Sequence, residues 1–423
     1  MLIGRTTCAF EDKVFTEWRI LFCGIGIVLC CAMLLAWKIG QGQTVIDTGG
    51  AAQCRIDFCT SWVSGVLVAA GQGVKAYDYP FFSAAQLDLV GPPAPGFPAS
   101  NYAYPPIFLF FTYPLGLLPY PTAFVTWTIA TLILYVAAVY VIIPRSTAVV
   151  SALTPVAVAQ SILLGQNGLL TAGLMGLALA LLRFRPYLAG AVISLLTYKP
   201  QFGVVFPLAL LASRQWQAFA AATVGSLLLI GATIAVFGSR SWIYFFEYLG
   251  HRNSSLGVDQ GVELTHQSLF GLLHWIAGGD TMPLLLHVIV AIGASIAVTL
   301  VCRWPTPHDL KAAAICLGSV VVTPYIEVYD LCVLPIGAAF LIRDGLMRGF
   351  LPAERALMLL CLGVMSFLYL PIGPLIYGVL LLLLARRVFA SERVLTTPPA
   401  SLQVQVAGED FRMSHALIAQ ADR

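Results

Sequence analysis

Long stretches without a charged residue alternate with short polar segments along this chain. A helix that crosses a membrane needs roughly 20 consecutive apolar residues. The uncharged stretches of about that length or more are 20–37, 105–143, 146–182, 215–239, 281–302 and 356–385. The pattern therefore predicts an all-α, polytopic integral membrane protein.

Four apolar regions each contain a break rich in glycine, proline or polar residues. The regions are 105–143, 146–182, 187–213 and 312–342, and their breaks are 118–121, 165–168, 199–200 and 324–330. Proline disfavours helix at and before its position, and glycine tolerates the turn that follows a helix end. We expect a helix end at each break, which gives about 11 spans, within a range of roughly 10 to 13.

The order of apolar and charged segments predicts the organisation of the chain. The first apolar run ends in Trp37-Lys38 without the small-residue site of a cleavable signal, so we interpret it as a retained signal anchor. The expected parts are a cytoplasmic N-terminus (1–19), a multi-spanning membrane domain (20–389) and a polar, mobile cytoplasmic tail (390–423). The basic residues that follow the last span favour a cytoplasmic tail.

Composition leads to the same conclusion. Hydrophobic residues make up 59% of the chain, charged residues only 10%, and the mean hydropathy is +0.86. Soluble domains carry about 25% charged residues, so this chain has too few charges to cover a water-facing surface. The net charge of +3 and the lack of a basic patch interleaved with aromatics argue against nucleic acid as a partner. The predicted surrounding is the lipid bilayer.

The first loop, 40–104, is far longer than the 2–8 residues that usually connect helices. Its four carboxylates are Asp47, Asp57, Asp78 and Asp88. Its apolar stretch 58–74 is predicted to lie along the membrane face as an amphipathic helix. Length and acid content favour a functional loop over a plain solvated connector. Cys54 and Cys59 flank Asp57. They could form a disulfide or remain two free thiols, and the sequence is compatible with both alternatives.

A second loop, 238–280, carries Arg252, His266 and several other ionisable residues. Its histidines are not at metal-ligand spacing, and no pattern in the sequence resembles a metal site. We therefore expect no resident cofactor, while a dependence on metal ions stays open. A solvated loop is the alternative interpretation of this segment.

Three ionisable residues, Lys199, Glu327 and Asp330, interrupt apolar segments. Such residues are costly in lipid and indicate function unless they lie at an interface. Between Asp88 and Glu247 the chain has cations but no carboxylate. That asymmetry suits an anionic ligand such as a phosphate, and it also fits the bias of basic residues toward the cytoplasmic side.

Several short motifs follow the order and spacing of a known family. They are Ile56-Asp57-Phe58, Ala76-Tyr77-Asp78, Tyr102-Ala103-Tyr104-Pro105-Pro106, Leu164-Gly165-Gln166-Asn167-Gly168, Tyr198-Lys199-Pro200-Gln201 and His266-Gln267-Ser268-Leu269-Phe270-Gly271. Across roughly residues 50–340 the chain resembles glycosyltransferase family 87 of the GT-C superfamily, which includes polyprenol-phosphate-mannose-dependent mannosyltransferases. It departs from the family near Pro324, where a histidine is common and this chain has Tyr325, Glu327, Tyr329 and Asp330.

The resemblance implies an inverting glycosyltransferase of the bacterial cell membrane. It would move a hexose, with mannose as the first candidate, from a polyprenyl-phosphate sugar to a lipid or glycan acceptor at the external face. Such a transfer needs a base for the attacking hydroxyl and donors or cations for the departing phosphate. Asp57 matches the family's early-loop carboxylate and is the expected base. Asp78 ranks second, and the alternative is that it caps or braces the loop.

The resemblance and the residue types also give candidates for substrate binding. These candidates are Lys199, Arg252 and His266 for the donor phosphate, Gln166 and Asn167 for sugar hydroxyls, Tyr104 for the sugar ring, and Gln267 from the same motif as His266. The hairpin 146–182 would carry Gln166 and Asn167 outward beside Asp57 if 105–143 crosses the membrane an odd number of times. Two full crossings would reverse it, and the sequence does not choose between them.

Two other classes of function remain open. A transporter or flippase would use Lys199, Glu327 and Asp330 as a relay near the middle of the membrane. Against it, the sequence has no evident inverted repeat, and the long first loop would have no purpose. A non-catalytic scaffold would leave the buried charges without a role.

Overall fold

The computed structural model describes residues 24–26, 28, 58–91, 101–254, 266–366 and 371–396. Within these residues all regular elements are helices, so the predicted all-α class is confirmed. The α-helices are α1 (Phe58–Ala69), α2 (Tyr79–Val90), α3 (Phe108–Gly116), α4 (Tyr120–Ile142), α5 (Ser146–Leu153), α6 (Val156–Leu164), α7 (Gly168–Leu181), α8 (Pro186–Leu195), α9 (Pro200–Gly203), α10 (Val205–Ala212), α11 (Trp216–Phe237), α12 (Arg240–Ser254), α13 (Leu269–Ala277), α14 (Thr281–Arg303), α15 (His308–Val322), α16 (Val333–Arg348), α17 (Glu354–Met365) and α18 (Gly373–Thr396). Short 3₁₀ helices cover Gly73–Tyr77, Leu196–Tyr198 and Val328–Cys332.

Several of these helices are long and apolar enough to cross a membrane. Among the described residues they are Tyr120–Ile142, Trp216–Phe237, Thr281–Arg303 and Gly373–Ser391. The pair α5 and α6 passes the same criteria as one span that bends by 69°. Other apolar helices have only 10–17 residues, so the total of about 11 spans stays a prediction.

The helix breaks fall largely where the sequence predicts them. Helix α6 ends before Gly165, α8 and its 3₁₀ extension end before Lys199, and α15 ends before Pro324. One prediction is wrong, because 146–182 forms three helices instead of two. The additional break lies at Thr154-Pro155, where proline has no backbone N–H to donate and its ring opposes a straight continuation.

The region 105–143 contains one helix long enough to cross a membrane. With nine residues, α3 is about 14 Å long, which is too short for a hydrocarbon layer of about 30 Å. It packs against α1 so closely that a Cβ on Gly65 or on Gly116 would overlap the backbone of the other helix. Of the two helices, α4 alone has the length of a membrane span, and the number of crossings in this region stays a prediction.

The first loop is folded, but not as predicted. Helix α1 lies within the expected stretch 58–74, yet eight of its twelve residues are buried in the protein, so it is not an amphipathic helix on the membrane face. Among the described residues of this loop, the large exposed apolar side chains are on α2, and include Tyr79 and Leu87. Cys59 is disulfide-bonded, and its partner lies outside the described residues, as do Cys54 and Asp57.

The bundle has two chemically different ends, which α4 connects. At one end, Tyr120 packs its ring against Phe58 of α1 at 5.7 Å. At the other end, the Ile142 carbonyl accepts a hydrogen bond from Arg343 at 3.4 Å. We call the end at Phe58 and Tyr120 the loop end, and the end at Ile142 and Arg343 the arginine end.

Candidate functional site

Three helix breaks meet in a buried polar cluster toward the loop end. Lys199 precedes α9, Asn167 precedes α7, and Asp330 lies in the 3₁₀ helix before α16. Lys199 Nζ donates to Asp330 Oδ1 at 2.5 Å and to Asn167 Oδ1 at 2.8 Å. None of the three is more than 4% exposed. We call these residues the lysine cluster.

The local sequence explains why the chain can turn inward here. Gly165 ends α6 in the left-handed conformation, at φ +62°, which glycine adopts without strain. Gly168 starts α7 against the chain before α16, and a Cβ there would overlap the Tyr329 carbonyl. Lys199 has φ −137° and ψ 70°, a non-helical conformation that the following Pro200 favours. Glycine and proline therefore set the positions of the polar side chains.

Two aromatic rings lie near the amino group of Lys199. Its Nζ lies 5.1 Å from the centre of the Tyr329 ring and 5.5 Å from that of Phe202, distances typical of cation–π contact. An ammonium has three N–H donors, and Asp330 and Asn167 accept from two of them. The arrangement can therefore hold a cation in the protein interior and still present one donor to an anion.

Asp330 links the lysine cluster to the second loop. Its Oδ2 accepts from the backbone N–H of Glu327 at 3.3 Å. The Glu327 carboxylate lies 3.2 Å from Nδ1 of His266, and the Gln267 N–H donates to the Ile326 carbonyl at 2.6 Å. His266 is buried, whereas the Glu327 side chain is 26% exposed. Glu327 is thus the more accessible acid beside this cluster.

Aromatic rings connect the first loop to the lysine cluster. Tyr104 packs on Phe108 with ring centres 4.4 Å apart, and Phe108 stacks on Tyr198 at 5.1 Å. Tyr198 donates to the Asn167 carbonyl at 3.3 Å. Tyr77 donates to the Tyr104 carbonyl at 2.8 Å, and burial raises the pKa of Tyr77 above its usual range, so this donor keeps its proton.

The hairpin tip lies against the first helix of the first loop. A Cβ on Gly165 would come 2.6 Å from Phe58 Cβ, and Trp127 Nε1 donates to the Gly165 carbonyl at 2.9 Å. Asp57 is joined to Phe58 by one peptide bond but lies outside the described residues. The structure therefore brings the helix that follows Asp57 to the turn that carries Gln166 and Asn167.

Two candidate residues have structural partners. Asp78 caps α2, where its Oδ1 accepts from the Phe81 N–H at 3.3 Å and its Oδ2 lies 3.4 Å from Lys75 Nζ; this is the geometry of the bracing alternative. Gln267 is buried, and its Oε1 accepts from the Gly373 N–H at 3.0 Å.

The two remaining candidates are Gln166 and Arg252. Gln166 is buried, and its backbone N–H donates to the Ser161 carbonyl at 3.0 Å. The side chain of Arg252 lies outside the described residues.

Sequence reasoning missed the pairing of Lys199 with Asp330. Both residues stand out individually as charges in apolar segments, but 131 positions separate them. No local periodicity predicts a contact across that distance. The hydroxyl pair of Thr171 and Tyr198, 2.5 Å apart, was also missed, because neither residue type is unusual in a membrane helix.

An apolar groove lies beside the break at Pro324. Its volume is about 480 Å³, and its lining residues from α10 and α14 include Leu208, Leu284 and Val288. It is close to the Lys199-Pro200 break, since Thr323 Oγ1 donates to the Gln201 carbonyl at 3.3 Å. The groove could take an apolar chain whose polar head is near the lysine cluster. Within the described part of the chain, no group of three His, Cys, Asp or Glu side chains is arranged to hold a metal ion.

Comparison with known families gives one match. The model of glycosyltransferase family 87 matches residues 102–324 of the 423 residues, which is more than half of the chain. The matched region contains Tyr104, Asn167, Lys199 and His266, and it ends before Asp330. No curated protein and no solved structure matches the chain.

Proposed function

This chain belongs to glycosyltransferase family 87, and we propose that it transfers a hexose, with mannose as the first candidate, from a polyprenyl-phosphate sugar. The acceptor would be a lipid or glycan. Family membership and the apolar helices support a membrane glycosyltransferase. The observation that carries the finer proposal is the buried lysine cluster beside an apolar groove, because a lipid-phosphate donor combines an anionic group with an apolar chain.

The donor would bind with its polyprenyl chain in the groove and its phosphate near Lys199. One N–H of Lys199 remains for a phosphate oxygen after Asp330 and Asn167 are counted. A charge-assisted hydrogen bond in a site of low dielectric stabilises the charge that grows on the leaving phosphate. Gln166 and Asn167, on the adjacent turn, would bind sugar hydroxyls, and Tyr104 would pack against the sugar ring. His266, Gln267 and Arg252 would support this site from the second loop.

Asp57 would act as the general base. It would accept the proton of the acceptor hydroxyl as that oxygen forms a bond to C1 of the sugar and the bond from C1 to the phosphate oxygen breaks. The products are the glycosylated acceptor, with inverted configuration, and the polyprenyl phosphate. Support comes from Phe58, the next residue, which packs at the turn bearing Gln166. Asp78 is a weaker candidate, because both of its oxygens have partners within the loop.

The charge distribution favours an external loop end. Arg343, Arg348 and Arg387 lie at the arginine end, and basic residues concentrate on the cytoplasmic side of membrane proteins. The reaction would then occur on the external face, and the chain's two termini would be cytoplasmic. A bacterial cell membrane is part of the same proposal.

A transporter or flippase is the second candidate. Discontinuous helices with a buried ion pair, as at Lys199 and Asp330, also occur in transporters. Membership of a glycosyltransferase family favours the transferase.

A donor panel tests the proposal directly. Purified full-length protein is incubated with polyprenyl-phosphate sugars, each carrying a labelled sugar, together with a membrane-lipid extract as acceptor. We expect transfer from one donor with release of polyprenyl phosphate, and none from the matching nucleotide sugars. Transfer from a nucleotide sugar without a lipid donor would overturn the donor class. Movement of intact labelled donor across a vesicle membrane, without chemistry, would favour the flippase.

A further inference from the structure

One polar side-chain atom in the wall of the apolar groove has no partner. His287 of α14 lines the groove and is only 2% exposed. Its Nδ1 atom is buried and makes no hydrogen bond. The lining hydroxyl groups do have partners, because Ser295 donates to the Ala291 carbonyl at 2.8 Å and Thr299 donates to the Ser295 carbonyl at 2.7 Å. Among the described lining residues, the unmatched polar side-chain atom is therefore Nδ1 of His287.

The other ring nitrogen of His287 fixes the position of its proton. Nε2 lies 3.3 Å from the Val322 carbonyl oxygen. A carbonyl only accepts hydrogen bonds, so Nε2 carries the proton and Nδ1 is left as an acceptor. Val322 is the last residue of α15, before the break at Pro324, and carbonyls in the last turn of a helix lack a helical partner. His287 therefore caps α15 through Nε2.

The capping contact does not account for Nδ1. It uses one nitrogen of the ring and leaves the other buried without a donor, which carries a free-energy cost. A glutamine could cap the same carbonyl with its amide nitrogen and would not place an acceptor at Nδ1. A ligand in the groove that brings a donor to Nδ1 would remove the cost.

Nδ1 lies in the part of the groove that is nearest the lysine cluster. Thr323, the residue after the capped carbonyl, donates to the Gln201 carbonyl at 3.3 Å, and Gln201 is two positions from Lys199. From His287 the lining continues along α14 to Leu300, a length of about 20 Å. The described lining residues carry no charged side chain. The groove therefore fits a lipid whose head is at His287 and whose chain follows α14.

We propose that His287 is a second contact for the phosphate of the polyprenyl lipid, in addition to Lys199. The identity of this lipid rests on the proposed function. A hydrogen bond between Nδ1 and a phosphate oxygen needs one proton, and the phosphodiester of the donor carries none at neutral pH. Binding would therefore take up one proton from solvent, and the resulting imidazolium would donate from Nδ1 to the phosphate in a charge-assisted hydrogen bond.

No described ionisable group supplies His287 with a counter-charge. Helix α10 has no ionisable residue. The ionisable residues of the other packed elements are His274 and Asp280 beside the start of α14, Lys199, Glu327 and Asp330 beyond the break, and Arg303, His308, Asp309 and Lys311 at the arginine end. Those on the loop side face one another, since His274 lies 3.1 Å from Asp280, Lys199 pairs with Asp330, and Glu327 lies 3.2 Å from His266. The phosphate would provide the charge that keeps the proton on Nδ1.

Calorimetry of lipid binding tests the proposal. Full-length protein in detergent is titrated with polyprenyl phosphate, the product common to all donors of the panel, in two buffers of different ionisation enthalpy. At about pH 8.5 histidine is neutral and a phosphate monoester is doubly charged, so the shared proton must come from the buffer. We expect uptake of about one proton for each bound lipid. Polyprenol, which lacks the phosphate, should bind more weakly and without proton uptake.

Two substitutions separate the cap from the phosphate contact. His287→Gln keeps an amide near the position of Nε2 and removes Nδ1, so the melting temperature should be nearly unchanged while affinity falls roughly ten-fold and proton uptake disappears. His287→Asn places its amide near Nδ1 and gives up the cap, so it should lower the melting temperature and retain part of the affinity. His308→Gln is the matched control, because His308 contacts the Leu179 carbonyl through Nε2 at 2.9 Å and does not line the groove.

The possible results lead to different conclusions. Unchanged affinity and unchanged proton uptake in a folded His287→Gln protein would overturn the proposal and leave His287 as a helix cap. Equal binding of polyprenol and polyprenyl phosphate would also overturn it, and would favour a hydroxyl group as the partner of Nδ1. Loss of affinity in His287→Gln together with no transfer from any donor of the panel would contradict the transferase and support the phosphate contact.

Discussion

Lys199 and Asp330 form an ion pair of 2.5 Å in the interior of the bundle, although they lie on opposite sides of the family-matched region's end. Their side chains are only 5% and 3% exposed. A buried charge that loses its partner is costly, whereas replacing the whole pair by apolar residues is often tolerated. Substitutions of this pair should therefore have separable effects on stability and on catalysis.

Single substitutions of the pair should destabilise more than the double substitution. Lys199→Met or Asp330→Leu leaves one buried charge unpaired, at a cost of about 3–5 kcal/mol. The combination Lys199→Met with Asp330→Leu should recover most of that loss. Thermal unfolding in detergent measures the stability of the two single variants and the double variant. Lys75→Ala is the control: it breaks an exposed ion pair and should lower the free energy of unfolding by less than about 1 kcal/mol. Additive losses in the double variant would contradict a paired interior.

The kinetics with the sugar donor should depend on Lys199 even when the stability lost with its ion pair has been restored. In the Lys199→Met, Asp330→Leu background we expect the fold to be retained, but the ammonium group beside the donor phosphate is absent. We expect a higher KM for the polyprenyl-phosphate sugar and a lower kcat, because the leaving phosphate loses a charge-assisted donor. Steady-state kinetics over a range of donor concentrations measures both. Unchanged donor kinetics in a folded double variant would remove the phosphate role of Lys199.

Loss of the Asp57 carboxylate should abolish transfer without loss of the fold. Asp57→Asn keeps the size of the side chain and removes the base, so the rate should fall by about 10²–10⁴. Expression level and the melting temperature should match those of the unmodified protein. Asp78→Asn is the matched control, since asparagine caps a helix about as well as aspartate. If Asp57→Asn remains fully active, Asp57 is not the base, and Asp78 or Glu327, the accessible acid beside His266, takes its place as candidate.

A single added methyl group should disturb the lysine cluster. Gly168→Ala would press a Cβ into the Tyr329 carbonyl, next to Asp330, at a cost of about 1–3 kcal/mol. Gly363→Ala is the control, because no described atom beyond its own helical turn lies within 4 Å of the Cβ added there. The melting temperature should fall and the donor KM should change only in the first variant, because alanine at an open helix position stabilises the helix if it has any effect. A Gly168→Ala protein of normal stability would mean that the close approach is not required.

The preference for the length of the donor's polyprenyl chain should depend on the apolar groove. Ala291→Phe would fill the groove that α14 lines, so the variant should lose activity on long polyprenyl donors more than on short analogues. Ile289→Phe, on an exposed position of the same helix that does not line the groove, is the matched control. Activity ratios for donors of two lengths provide the measurement. Equal loss on both donors would place the isoprenoid chain elsewhere.

The sequence predicts helix ends best, because these depend on the residue at the position and its immediate neighbours. Lys199-Pro200 and Gly165 mark real helix ends, because proline and glycine act on their own positions and neighbours. The same reasoning should have found the bend at Pro155, which the surrounding apolar run concealed. Helix α1 was expected to be amphipathic because its residues are apolar in a loop, but tight packing against α3 buries it.

The candidate site is less predictable, because it is assembled from distant parts of the chain. Lys199, Glu327 and Asp330 could be singled out as costly charges. How these charges pair depends on how four separate helix ends come together. The same arrangement decides that Glu327 pairs with His266 instead of Lys199. Only the three-dimensional arrangement supplies that information.

The end of the family match at Pro324 has a consequence for the smallest unit that can fold. Asp330 lies six positions beyond that limit, and Gly373, which donates to Gln267, lies further still. A fragment cut at the family boundary would bury the ammonium of Lys199 without Asp330 and would lose the hydrogen bond from the Gly373 N–H to Gln267. The autonomous domain therefore extends at least to α18, and exchange of segments between relatives should use boundaries beyond it.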